Sequence, residues 1–279
     1  MPVVSIIIPT YNQADLLQMA LQSVINQTFQ DWEAIIVDNY SEDNTKDIIE
    51  SINDTRIKHV LLSNKGIIAA SRNYGIHLAK SDIIAFLDSD DLWYSSKLSI
   101  CLKNFKQGAD AVCHGLWIRK DGILQKKLIP APSHQNFYKT LLYNGNSEIA
   151  TSAVMIKKQS FDRNGVFSED PEIVAAEDYE LWLRLSKNNI KWGFIPEVLG
   201  EYTVHGKNAS GNVKRQMLAE EKVVMKYFRH NDSPHLEEKL SYQKRKMMIV
   251  FHAGIRVWQS GHPLNSIPYF CKAFFKIFC

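Results

Sequence analysis

Three carboxylates fall within four consecutive positions in Phe86-Leu87-Asp88-Ser89-Asp90-Asp91, directly after an apolar run. At the C-terminal end of a strand, Asp88 and Asp90 project to the same side while the backbone stays extended, so both face one ligand. Clustered carboxylates repel unless a cation joins them. Their hard oxygens suit Mg2+ or Mn2+, which in turn binds a substrate diphosphate. The competing use is helix capping, because Asp91 precedes Leu92-Trp93 and a helix expected from Ser95. A second acidic group, Glu177-Asp178-Tyr179-Glu180-Leu181-Trp182, opens an amphipathic stretch. Acids in a first helical turn already stabilise it through the dipole. A carboxylate there also has the chemistry to deprotonate an attacking hydroxyl. One acidic site for a metal and a leaving diphosphate, and another for a base, are what glycosyl transfer from a nucleotide sugar requires.

The elements that must position these groups are legible in outline. Apolar runs at 3–8, 34–38, 57–62 and 83–88 read as strands, and the amphipathic stretches 14–27, 43–52 and 67–79 between them read as core-facing helices. That alternation predicts βα units around a mostly parallel sheet, an α/β class in which ligands sit outside the carboxyl ends of the strands. Pro9-Thr10-Tyr11-Asn12 closes the first strand and is therefore placed to touch a ligand. After residue 110 the pattern is less regular, with strands expected near 111–118 and 152–156 and a helix over 177–187. From 213 onward it is helical, over 213–228 and 236–259, with a break at Gly261-His262-Pro263.

A chain of 279 residues, 45% apolar, suffices for one large core with an appendage. No run of about 18 apolar residues occurs, and the N-terminus has no basic segment followed by an apolar core, so a cytoplasmic protein is expected. Cys101, Cys113, Cys271 and Cys279 are widely spaced and form no CxxC pair, which argues against a disulfide framework and a structural zinc site. The net charge of +3 conceals an asymmetry: residues 213–279 carry twelve Lys/Arg against five Asp/Glu, leaving 1–212 at −4. A basic tail on an acidic body predicts an anionic partner, membrane phospholipid or a phosphate-bearing acceptor rather than nucleic acid.

Six segments in order give the chain a family resemblance. Val4-Ser5-Ile6-Ile7-Ile8-Pro9-Thr10-Tyr11-Asn12, Ser23-Val24-Ile25-Asn26-Gln27-Thr28-Phe29, Ile36-Val37-Asp38, Ala70-Ser71-Arg72-Asn73-Tyr74-Gly75, residues 86–93 and residues 177–184 together resemble family 2 glycosyltransferases of the GT-A fold over about residues 3–210. The resemblance implies a Rossmann-like nucleotide-binding sheet with a helical C-terminal extension. It implies a nucleotide-sugar site formed by Pro9, Tyr11, Asp38, Asn39, Arg72, Asp88, Ser89 and Asp90. It also implies a divalent cation, Mg2+ or Mn2+, at Asp90, Asp88 and His205, and a general base at Asp178. Domains follow as 1–212 catalytic, with a nucleotide-sugar half at 1–110 and an acceptor half at 111–212, and 213–279 as a helical basic extension. Asp91, Trp93, Glu177 and Trp182 are candidates for acceptor or sugar contact, with core packing as the alternative use of both tryptophans. Arg72, with Lys65 nearby, is placed to approach the uracil or the diphosphate, a solvated helix face being the alternative.

Two departures from the family pattern are visible. Asp-Asp-Gly-Ser is replaced by Asp38-Asn39-Tyr40-Ser41, so Asn39 can accept a bond from a uracil N–H only through a neutral amide oxygen. Tyr202-Thr203-Val204-His205, followed by Ser210, carries Thr203 where the pattern has arginine. The implied activity is inverting transfer of a hexose or N-acetylhexosamine from a UDP-sugar to a hydroxyl of a glycan or polyprenyl-diphosphate-linked acceptor. The tail from Pro263, with Ile267, Phe270, Phe274 and Phe278 at helical spacing and Lys272 and Lys276 between, fits a membrane-interface helix at the inner face of the cytoplasmic membrane, or one packed on the protein. Two alternatives keep the fold: nucleotidyl transfer, for which Pro9–Asn12 lacks the Gly-rich basic loop, and a catalytically impaired carbohydrate- or lipid-binding protein. No G-x-G-x-x-G follows the first strand, which disfavours a dinucleotide oxidoreductase.

Overall fold

The computed structural model describes residues 1–130, 136–145, 149–206, 208, 211–229 and 236–275. Strands β1 (Val4–Thr10) and β2 (Trp32–Asp38) are buried at every position, as strands covered on both faces must be. With β3 (Ile57–Leu61) and β4 (Ile83–Phe86) they form the parallel part of a sheet in the order β3-β2-β1-β4. Helix α1 (Ala14–Ile25) buries Leu17, Leu21 and Val24, while α2 (Thr45–Ile52) buries Ile49. Helix α3 (Ile68–Leu78) approaches β1 closely at Gly75, where a Cβ would lie 2.5 Å from Ile7 Cγ2.

Beyond β4 the sheet turns mixed. β8 (Val154–Lys157) runs antiparallel to β4 and to β6 (Ala111–Lys120), which lies parallel to β9 (Trp192–Val204). β9 in turn pairs with the two-residue β5 (Leu92–Trp93), and β7 (Ile123–Leu128) pairs with β6. β5 corrects the idea that Asp91 caps a helix: the chain enters a strand first, and α4 spans Lys97–Lys106. β7 and β9 were not anticipated. β7 is exposed along most of its length and lacks an apolar face, and β9 is interrupted by Gly193, Pro196 and Gly200, residues that disfavour a central strand. Its pairing with β6 slips beside Pro196, between His114 and Gly115.

By contacts the chain separates into two compact units that interleave in sequence: Met1–Pro132, Ser147–Phe167 and Arg184–His205 in one, and Ser133–Asn146, Ser168–Leu183 and Gly206–Cys279 in the other. The first holds the whole sheet, α1 to α4 and α6 (Gln159–Asn164). The second holds α5 (Phe137–Asn144), α8 (Val213–Arg229), α9 (Leu236–Gln259) and α10 (Pro263–Phe275), and the division falls inside α7 (Glu177–Lys187). Within this second unit Arg245, fully buried on α9, pairs with Glu220 of α8 and lies over the Tyr179 ring. Phe270 of α10 packs against Gly254 of α9, while Leu264, Ile267 and Phe274 stay exposed. Phe278 and Lys276 lie outside the described residues, as does Ser210. No described helix is long and apolar enough to cross a membrane.

Candidate functional site

The aspartate segment begins where β4 stops. Phe86 and Leu87 are fully buried, and the Leu87 N–H still donates to Ile7 O, so the chain is held in the sheet until Asp88. There the Asp88 N–H turns to the Ser152 hydroxyl at 3.0 Å, and Asp91 N–H bonds back to Asp88 O, closing a tight turn. This explains why the strand ends earlier than its apolar run suggested.

Each acid of the turn has a different environment. Asp88, its side chain 24% exposed, accepts from Arg72 Nη2 at 2.7 Å. Arg72 is buried on α3 rather than solvated, and its guanidinium lies over Phe167, which itself packs edge-on against Phe86. Asp90, 13% exposed, meets His205 Nε2 at 2.9 Å across the site. Burial and the Asp88 charge raise the Asp90 carboxyl above its ordinary range, and His205 opposes that rise. Asp91 is 1% exposed. Its oxygens accept from the Ser152 hydroxyl at 2.5 Å and from the Thr203 N–H at 2.9 Å, and burial with two neighbouring carboxylates pushes its own carboxyl well up. Ser89 is buried and donates to Gln13 Oε1 at 2.6 Å, which ties the turn to the start of α1.

The ends of β1 and β2 form a second, adjacent cluster. Thr10 pairs in register with Asp38, and Asn39 N–H donates to Thr10 O. Pro9 is buried, whereas Tyr11 is 53% exposed. The Asp38 carboxylate is engaged within the protein: one oxygen accepts from the Ser41 N–H and hydroxyl, and the other meets His59 Nε2 at 3.1 Å. Asn39 Oδ1, the atom expected to receive a nucleobase N–H, already accepts from Asn64 N–H at 2.9 Å. Tyr40 has a φ of 58°, in the left-handed region that glycine favours, which accounts physically for a glycine in the family pattern at this position.

On α7, Asp178 is half-buried, and its Oδ1 lies 2.6 Å from the Tyr179 N–H. Its neighbours make bonds within the protein. Glu177 accepts from Ala175 N–H, Glu180 accepts from Lys226 and from the Tyr227 hydroxyl, and Tyr179 donates to Leu141 O. Trp182 is fully buried, and Trp93 is buried with its indole N–H donating to Ser152 O at 2.8 Å. Trp93, Trp182 and Asp91, candidates for sugar or acceptor contact, are thus engaged in packing and internal bonding, the alternative use already open to both tryptophans. The structure brings together Asp88, Asp90, His205 and Arg72. It adds Ser152 and Gln13, which no sequence signal marked, and Thr203, singled out in the sequence only for replacing an arginine, through its backbone N–H.

The donor set fits a cation shared with a diphosphate. Mg2+ and Mn2+ bind through one or two carboxylates and complete their shell with substrate phosphate oxygens and water. Asp90, with Asp88 in the same turn, and the imidazole of His205 are the groups that would supply that partial shell. Among the described residues no group of three or more His, Cys, Asp or Glu is gathered to hold a metal unaided.

Residues 5–164 match the model of glycosyl transferase family 2. The chain is 33% identical over 228 residues to the Escherichia coli UDP-Glc:alpha-D-GlcNAc-diphosphoundecaprenol beta-1,3-glucosyltransferase WfaP, covering 80% of this chain and 86% of that one. It is 32% identical over 215 residues to the putative teichuronic acid biosynthesis glycosyltransferase TuaG of Bacillus subtilis, covering 76% and 82%. Among solved structures, the mannosyltransferase PcManGT from Pyrobaculum calidifontis in complex with GDP-Man and Mn2+ superposes with a TM-score of 0.64 at 18% identity, covering 99% of this chain and 87% of that one. That likeness establishes a shared fold.

Proposed function

The chain belongs to glycosyl transferase family 2, and from that premise we propose that it moves a hexose or N-acetylhexosamine from a nucleotide sugar, UDP-linked, to a hydroxyl of a glycan carried on a polyprenyl diphosphate, inverting the anomeric carbon. The observation that carries this reading is the meeting of Asp90 and His205, from two distant parts of the chain, beside the carboxyl ends of the parallel strands. The named activity of WfaP supports UDP and a diphosphate-linked acceptor.

In this reading Asp90 and His205, with Asp88, hold a divalent cation that supplies positive charge to the departing diphosphate. Asp178 takes the proton of the acceptor hydroxyl, the oxygen attacks the anomeric carbon, and the bond to the diphosphate oxygen breaks on the opposite face. Pro9, Tyr11 and the 38–41 turn receive the nucleoside, and Arg72 holds Asp88 in place. Residues 1–110 form the nucleotide-sugar half, 111–212 the acceptor half and 213–279 a basic extension. Leu264, Ile267 and Phe274 share one side of α10 with Lys272 on another, which supports peripheral contact with the membrane that carries such an acceptor.

The test is a thermal-shift panel of UDP-, GDP-, CMP- and dTDP-sugars with and without Mn2+, since a ligand that binds only the folded state raises apparent stability. A Mn2+-dependent shift largest with a UDP-sugar is expected. No metal-dependent shift with any donor removes the proposal.

A further inference from the structure

We propose that Ser152 and Asp91 are positioning residues which together set the Asp88–Asp90 turn against His205, so that cation and diphosphate binding depend on a pair that touches neither. This rests on the reading of Asp90 and His205 as the cation site.

The bonding around Ser152 is the basis. It lies in a 3-10 turn, Thr151–Ala153, immediately before β8, and is fully buried. Its hydroxyl does two things at once: it accepts the Asp88 N–H at 3.0 Å and donates to Asp91 Oδ2 at 2.5 Å. A hydroxyl has the donor and lone pairs for both. The Ser152 carbonyl meanwhile receives the Trp93 indole N–H. One residue therefore grips the turn at its first acid, at its last acid, and at the aromatic two positions beyond.

Asp91 extends this grip to the other half of the site. Its second oxygen accepts the Thr203 N–H at 2.9 Å, two residues before His205. The turn that carries Asp90 and the strand end that carries His205 are thus fastened to one buried carboxylate. Buried polar atoms are costly unless hydrogen bonds satisfy them, and each Asp91 oxygen is satisfied by a group that belongs to this fastening. If Ser152 loses its hydroxyl, Asp88 N–H and Asp91 Oδ2 both lose a partner, and the Asp90-to-His205 separation of 2.9 Å loses its support. Ligand-orienting groups of this kind change metal affinity by roughly 10- to 100-fold when removed.

The experiment uses the full-length protein as wild type, Ser152→Ala, Asp91→Asn and Ser152→Thr, with His205→Gln assigning the resonance. Histidine side-chain NMR without metal reports the His205 environment, and calorimetric UDP binding across a Mn2+ series reports the cation requirement. The expected result is a displaced His205 signal in Ser152→Ala and Asp91→Asn, with at least a tenfold higher Mn2+ requirement, and recovery of both readouts in Ser152→Thr. An unmoved His205 signal in both Ser152→Ala and Asp91→Asn overturns the proposal, whatever the calorimetry gives. A displaced signal in a protein whose wild type binds UDP without Mn2+ dependence upholds the positioning role and removes the cation reading instead.

Discussion

Asp90 Oδ2 lies 2.9 Å from His205 Nε2, joining residues 115 positions apart in the chain. The contact joins two candidates from separate segments into one site. If this pair binds the cation and diphosphate, removing either member costs transition-state stabilisation rather than fold. His205→Ala and Asp90→Asn, each removing a proposed ligand, are expected to lower kcat/KM by at least the roughly 10- to 100-fold that losing a supporting group costs a metal site, with Asp90→Asn the larger because it removes charge. Initial rates against Mn2+ concentration check this; wild-type rates in Asp90→Asn would exclude the site.

Asp178→Asn removes a proton acceptor while keeping shape and the N-terminal helical position. General-base catalysis contributes about 10²- to 10⁴-fold, so kcat is expected to fall within that range while UDP binding stays unchanged. Measuring turnover and UDP calorimetry on the same preparation separates the two. Near-normal turnover removes the base assignment.

How far these residues were legible depended on what kind of signal each carried. β1, β2 and β4 are continuous apolar runs because the sheet is covered on both faces, and the acids after β4 stand out against such a run. β9 hid because Gly193, Pro196 and Gly200 interrupt it, although tertiary pairing with β6 holds it in the sheet. Ser152 looked like any small polar residue, since its meaning lies in partners 61 and 64 positions away. Asn39 likewise has a partner the sequence did not show: its amide oxygen accepts from Asn64 N–H, 25 residues on, which fixes the side chain and leaves one lone pair of that oxygen.

Lys97 makes stability depend on pH. It is fully buried, its ammonium nitrogen sits 3.5 Å from the centroid of the Trp93 ring, and no described residue gives it a hydrogen bond. Desolvation pulls it down to about 7, against partial compensation from Cys101 and Cys113. Between pH 7 and its ordinary range near 10.5 the unfolded chain therefore binds more protons than the folded one, so this group's destabilisation is full below about pH 7 and fades as pH rises. Lys97→Met is expected to gain on the order of 2 kcal/mol at pH 7 and little near pH 10. Urea unfolding of both proteins at each pH measures the difference; a gain that does not shrink with pH contradicts the assignment.

Gly200 links the sheet to the aspartate turn. On β9 it faces Trp93 of β5, and a Cβ there would collide with the Leu92 carbonyl oxygen, a backbone atom that cannot rotate aside, and press on Leu116 at 3.1 Å. The collision therefore moves β5 as a unit, and β5 carries Trp93, whose indole is bonded to Ser152. Overpacking of this sort costs about 1–3 kcal/mol. Gly200→Ala is expected to lose that much in urea unfolding and also to raise the Mn2+ requirement. Overpacking in the second unit, as in Gly254→Ala, where the Cβ would lie 2.8 Å from Phe270 Cε1, is expected to lower stability alone. Equal effects of both variants on Mn2+ requirement would argue that the site senses general loosening rather than the path through β5 to Ser152.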